Sequence, residues 1–108
     1  MARRLSRGEI WLHVFKAPDK RRPVLIISRQ ALLDVLETAT VVPITTTLRG
    51  APTEVQLDID DGLKETSCAN LANIVTVRKT SLTRYVGVVR REKMHEVCRA
   101  LVIASGCD

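Results

Sequence analysis

Aromatic side chains are nearly missing: one Trp, one Tyr and one Phe among 108 residues. Whatever core the chain builds must therefore be aliphatic, made of Val, Ile and Leu. Cysteine is scarce too. Cys68, Cys98 and Cys107 are an odd number with no CxxC spacing, which argues against a disulfide framework. They read as small apolar fillers or as thiols of a reducing compartment. His13 and His95 stand far apart, without the carboxylate or cysteine spacing of a ligand set, so no metal is expected. No apolar run approaches the length of a membrane span. The basic stretch MARRLSRGEIW lacks the apolar segment of a secretory signal, and a cytoplasmic location is expected. Walker loops, nucleophile elbows, internal repeats and low-complexity tracts are also missing.

Hydrophobic residues make up 45% and charged residues 27%, a globular composition. At this length one domain over residues 1–108 is expected, able to bury about two-thirds of its unfolded surface. The formal net charge is +5, which for a small domain points towards nucleic acid or an acidic protein partner.

Residues 8–15 alternate as a strand with both faces largely covered. Residues 16–22 carry a Pro-Asp step and four cations, which suits a loop. Pro23 is tolerated as the first residue of a strand that continues through Ser28. Residues 30–36 predict one helical turn or an irregular crossing. Residues 38–47 (TATVVPITTT) have strong β propensity, with Pro43 marking a bulge or a sheet edge. Residues 53–57 alternate with Val55 and Leu57 inward, and the acidic turn 58–62 follows. Residues 66–77 form a long extended segment bent near Asn73. Residues 81–84 turn, and 85–89 make a last short strand. From Arg90 to Ser105, Met94, Val97, Cys98, Leu101 and Val102 recur at helical spacing, and Gly106 supplies the stop. Five or six short strands with one terminal helix and no βαβ repeat predict a small curled antiparallel sheet or barrel.

Two polar features could bear chemistry. In KRRPVLIIS, three cations abut the most hydrophobic segment. Pro23 restricts Arg22 to extended geometry, and a guanidinium so held can bind phosphate through two parallel hydrogen bonds. By itself a solvated strand-end arginine would be the commoner meaning. Along Thr45-Thr46-Thr47, Thr45 and Thr47 share one strand face and Thr46 takes the other. Hydroxyls beside an arginine form a donor set for a phosphate oxygen, although threonine is common on solvated strands. Trp11 and Tyr85 could stack on bases, but a lone aromatic more often packs in a core or an interface. Asp58, Asp60 and Asp61 fail the EF-hand spacing, and a polar turn suffices to explain them.

In order along the chain, RGEIW (7–11), RPVLI (22–26), VPITT (42–46), TEV (53–55), Ser67, NIVTV (73–77) and Gly87 resemble the MazF/PemK family of toxin endoribonucleases. The resemblance implies a mainly β (α+β) fold: a small SH3-like antiparallel barrel with a C-terminal helix, of the MazF/CcdB type. It implies a homodimer, cleavage of single-stranded RNA without a metal or other cofactor, and control by a cognate MazE-like antitoxin. Residue by residue, the family's catalytic arginine falls on Arg22 and its catalytic threonine on Thr45. RNA supplies its own nucleophile, the 2′-hydroxyl, so the products would be a 2′,3′-cyclic phosphate and a 5′-hydroxyl. Lys20 and Arg21 would attract the RNA backbone, with Thr46 and Thr47 as further RNA-binding residues.

The chain departs from the family pattern in carrying Val14 where an aspartate is common, and in a shortened loop at residues 16–21. Because that loop helps select bases in the family, the cleavage sequence does not carry over. Two other functions compete: a non-catalytic nucleic-acid- or protein-binding barrel, and a CcdB-like gyrase inhibitor. Trp11, Leu48 and Leu82, more apolar surface than a small barrel can bury, suggest the dimer contact.

Overall fold

Both faces of the first strands are apolar because both are covered. The structure, a computed structural model, describes residues 4–15 and 21–108. Strands β1 (Glu9–Val14) and β2 (Arg21–Ile26) are followed by the short helix α1 (Gln30–Val35) and the long strand β3 (Thr38–Thr45). Strands β4 (Glu54–Leu57), β5 (Ser67–Asn70), β6 (Val75–Arg78) and β7 (Leu82–Val88) then lead to helix α2 (Arg91–Ser105). All pairings among these strands are antiparallel, in the order β4-β5-β3-β2-β1-β7, with β6 also on β3.

Alternate residues of the central strands feed two separate cores. Ile10, Leu25, Val42 and Ile44 join Val55 and Leu57 of β4 and Val97 and Ala100 of α2. Trp11, Val24, Ile26 and Val41 join Leu33 of α1, Val77 of β6 and Leu82 of β7. Each fully buried Leu or Val contributes about 1.5–3 kcal/mol, which offsets the scarcity of aromatics.

Several expectations change in detail. The extended segment 66–77 is two strands, broken at a 3₁₀ turn, Leu71–Asn73, whose Ala72 amide is capped by the Asn70 side chain. Pro23 lies inside β2 opposite Leu12, not at its start. Pro43 is neither at an edge nor in a bulge: it sits in the central strand. There β3 stops pairing with β6, whose partners are residues 38–41, and starts pairing with β5 at Ile44. A missing N–H is tolerated at such a change of partner because no neighbour on that side requires it. In α2 the inward stripe runs through Val97 and Ala100, leaving Cys98 exposed. Arg7 donates from Nη2 to the Cys98 sulfur at 3.2 Å and from Nη1 to the Ile27 carbonyl, so the thiol marks a helix anchor.

Trp11 and Leu82 are core residues, 3% and 6% exposed, so they do not form a dimer surface; Leu48 is exposed. The indole of Trp11 donates to Glu9 Oε1 at 3.0 Å and meets the Tyr85 ring edge-on at 5.9 Å. The acidic turn caps itself: Asp58 accepts from the Asp60 amide, and Asp61 accepts from the Asp58 amide. Gly87 is required opposite this turn, because a Cβ there would strike the Asp61 carbonyl. Among the described residues, no helix is long and apolar enough to cross a membrane.

Candidate active site

Strand register decides which of the predicted polar residues meet. In the β2–β3 ladder Ile26 faces Val41, Leu25 faces Val42 and Val24 faces Pro43. The paired ladder ends there, but continued by two residues the same register brings Arg22 to the level of Thr45, and the two line one cleft. On the other side of β3, Thr45 pairs with Cys68 of β5, while Glu54 of β4 pairs with Asn70 of β5. One sheet face therefore carries Arg22, Thr45 and Cys68 across three strands, with Pro43, Asn70 and Glu54 in the adjoining row.

These residues line a single open cleft of about 330 Å³ together with Thr47, Arg49 and Asn73. Arg22 is exposed and, among the described residues, has no hydrogen-bond or ion-pair partner. A guanidinium with all its donors free at a rigid strand end is poised for an anion. Thr45 is half-buried, and its Oγ1 accepts from the Thr47 amide at 3.2 Å, leaving the hydroxyl proton to be donated. Glu54 is already engaged: its carboxylate accepts from the Arg49 amide at 3.2 Å and the Gly50 amide at 3.0 Å, fixing the loop after β3. Cys68 is buried beneath the cleft. Burial pushes its thiol pKa up, and the nearby Glu54 charge adds to that, so it is a neutral floor residue and not a nucleophile.

The other predicted residues disperse. Thr46 points away from this cleft and lines a second one, about 500 Å³, with Leu12, Pro23, Leu63, Arg84 and Tyr85. Arg21 is exposed at the start of β2 and lines neither. Lys20 lies outside the described residues. The sequence did not point to Arg49 or Asn70 as site residues; Cys68 read only as an apolar filler or a thiol, Asn73 as the bend of an extended segment, and Glu54 only as part of a matching stretch. The available signal was the inward alternation of Val55 and Leu57, which turns Glu54 to the opposite face.

His13 is buried on β1 directly opposite Arg22, and its Nδ1 is sealed from solvent with no hydrogen-bond partner among the described residues. Its ring packs edge-on against Phe15 at 4.4 Å, and burial depresses its pKa, favouring the neutral imidazole.

The family described as PemK-like, MazF-like toxin of type II toxin-antitoxin system matches residues 6–104. The chain is 36% identical over 104 residues to the "Probable endoribonuclease MazF5" of Mycobacterium tuberculosis, covering 95% of this chain and 94% of that protein. Its fold superposes on the "Mycobacterium tuberculosis toxin MazF-mt6" with a TM-score of 0.85, at 34% identity over 93% of this chain and 98% of that one. It also superposes on the "Endoribonuclease in complex with its cognate antitoxin from Mycobacterial species" with a TM-score of 0.84, at 30% identity over 94% and 95% of the two chains.

Proposed function

Because the chain belongs to the PemK-like, MazF-like toxin family of type II toxin-antitoxin systems, we propose that it is an endoribonuclease toxin. On this reading it cuts single-stranded RNA at the cleft between β2, β3 and β5. The observation that carries the reading is the meeting of an unpartnered Arg22 guanidinium and the Thr45 hydroxyl in one cleft.

The chemistry follows from those groups. The RNA 2′-oxygen attacks the adjacent phosphorus as its proton is lost to a base. The P–O5′ bond breaks, and the departing 5′-oxygen takes up a proton. The products are a 2′,3′-cyclic phosphate and a 5′-hydroxyl. Arg22 holds the non-bridging oxygens and stabilises the extra charge of the phosphorane. Thr45 donates its hydroxyl to one of those oxygens and fixes the phosphate in line for attack. Arg22 is a charge stabiliser and not the base, since a guanidinium is a permanent cation with donors only and no lone pair to take a proton. Fixed positive charge from the protein replaces the role a divalent ion would otherwise play, so cleavage persists in a chelator.

The protein acts as a homodimer in the cytoplasm and is held inactive by a MazE-like antitoxin. The solved mycobacterial endoribonuclease with its cognate antitoxin supports the partner assignment. Purified protein is incubated with mixed-sequence single-stranded RNA in EDTA and the ends are mapped, beside Arg22→Ala and Thr45→Ala. Cyclic-phosphate ends that vanish in both variants are expected. Intact RNA, or cleavage unchanged in both variants, would overturn the reading.

A further inference from the structure

Among the neutral donors that the phosphate chemistry leaves unused in this cleft, the Asn70 side chain is the one whose orientation its hydrogen bonds fix. Asn70 ends β5 at the cleft wall, one cross-strand row from Arg22 and Thr45. Its Oδ1 accepts from the Thr53 hydroxyl at 2.6 Å and from the Ala72 amide at 3.0 Å. The opposite amide orientation would set Nδ2 against the Ala72 N–H, donor facing donor, so these contacts fix which end of the carboxamide is which. With Oδ1 saturated, the side chain can present only Nδ2, and among the described residues that nitrogen has no hydrogen-bond partner.

Resting on the endoribonuclease reading, we propose that Asn70 is a base-selecting residue whose Nδ2–H₂ donates to the keto oxygen of a uracil or guanine beside the scissile phosphate. Its neighbours support a base over a phosphate as the ligand. Arg22 and Arg49 already supply charged donors to the same cleft, where a phosphate finds far stronger partners. A donor-only neutral amide separates bases by edge: uracil O4 and guanine O6 accept, whereas the amino groups of cytosine N4 and adenine N6 meet it donor to donor. The Thr53 hydroxyl and the Ala72 amide are positioning groups. They touch only Oδ1 and hold the reading end in place.

Asn70→Asp is the discriminating variant. It is isosteric, and its Oδ1 keeps both hydrogen bonds, so the Leu71–Asn73 turn stays capped; Nδ2, a donor, becomes an acceptor, and the negative charge that comes with it lowers the rate on all sequences alike, so the base preference and not the rate is what this variant reads. Cleavage sites of wild type and Asn70→Asp are mapped on a randomised single-stranded RNA pool, with thermal unfolding as the control. The expected result is an unchanged unfolding midpoint and, at one position next to the cut, a preference for U or G replaced by one for A or C, a shift of about tenfold or more. Asn70→Ala should flatten the preference at that position without inverting it. A uniform loss of rate over all sequences in the neutral Asn70→Ala, with no change of preference, would overturn base reading in favour of a phosphate contact, and an unchanged pattern in both variants would overturn it outright. A parallel selection of bound sequences from a 2′-fluoro pool, which has no nucleophile, separates the two claims. If wild type cleaves no RNA yet the bound pool shows the same inversion, base reading stands while the endoribonuclease reading fails. If wild type cleaves but neither pool changes with Asn70→Asp, the reverse holds.

Discussion

Two clefts lie back to back at the ends of β2 and β3, and they are made from alternate residues of the same strands. Arg22, Pro43, Thr45 and Thr47 line one; Pro23 and Thr46 line the other. The first has a polar wall, with Asn70, Asn73, Arg49 and Glu54 over a sealed thiol. The second rests on apolar side chains, Leu12, Leu63 and Val86, with Arg84, Lys64 and Tyr85 at its margin. The difference teaches that charge alone would not single out an anion site, since both clefts have cations. Among the described residues, only the first sets a strand-end guanidinium without a partner beside a hydroxyl whose lone pair is already held.

The contrast is sharpest when each cleft loses its arginine. Arg22→Ala should lower the RNA cleavage rate by about 100-fold or more, the usual loss of an oxyanion-stabilising donor. Arg84→Ala should change kcat little and act mainly through salt-dependent RNA affinity, which a rate-against-salt series on both variants resolves. Equal losses in kcat would erase the distinction between the clefts.

The threonines give a smaller test of the same alternation. Thr45→Val should cost about tenfold in cleavage, the value of one hydrogen bond of roughly 1–1.5 kcal/mol. Thr46→Val, on the other face, should stay within about twofold. Single-turnover rates on one oligonucleotide are sufficient to compare them.

Behind the second cleft, Gly87→Ala should cost about 1–3 kcal/mol by forcing the Asp61 turn off β7. Urea unfolding measures it, and an unchanged midpoint would show that the turn is free to move. The first cleft has its own sensitivity, to acid. His13 is buried beside Arg22 with its folded pKa below the usual imidazole value, so the unfolded chain binds the proton more readily. Its contribution to stability is complete above about pH 6.5 and is lost as pH falls through the folded pKa. His13→Asn should flatten that acid limb in a series of unfolding midpoints against pH, and an unaltered limb would assign it to other groups.

Much of this was legible from pattern. Val55 and Leu57 announce their strand by alternation, Gly106 marks the end of α2, and Arg22-Pro23 with VPITT points to the pair at the site. The partners of those residues were not legible. Asn70 and Cys68 reach the cleft only because β5 joins the second half of β3, a pairing between segments more than 20 residues apart. Pro43 read as a bulge or an edge because a proline breaks an ordinary ladder, and nothing local reveals that a central strand changes neighbour there. Cys98 read as inward because Ala100, the residue that packs instead, is too weakly hydrophobic to stand out in a helical stripe.

The sequence by itself determined most of the strands, though not the break within 66–77 or the start of β7 at Leu82, together with the terminal helix, the basic character and which residues of one strand share a face, since side-chain direction follows backbone period. Only the tertiary structure decided that Arg22, Thr45 and Asn70 share one cleft while Thr46 and Trp11 do not. Register between distant strands is set by the sum of core contacts on both faces of the sheet, and no local stretch of chain contains that sum.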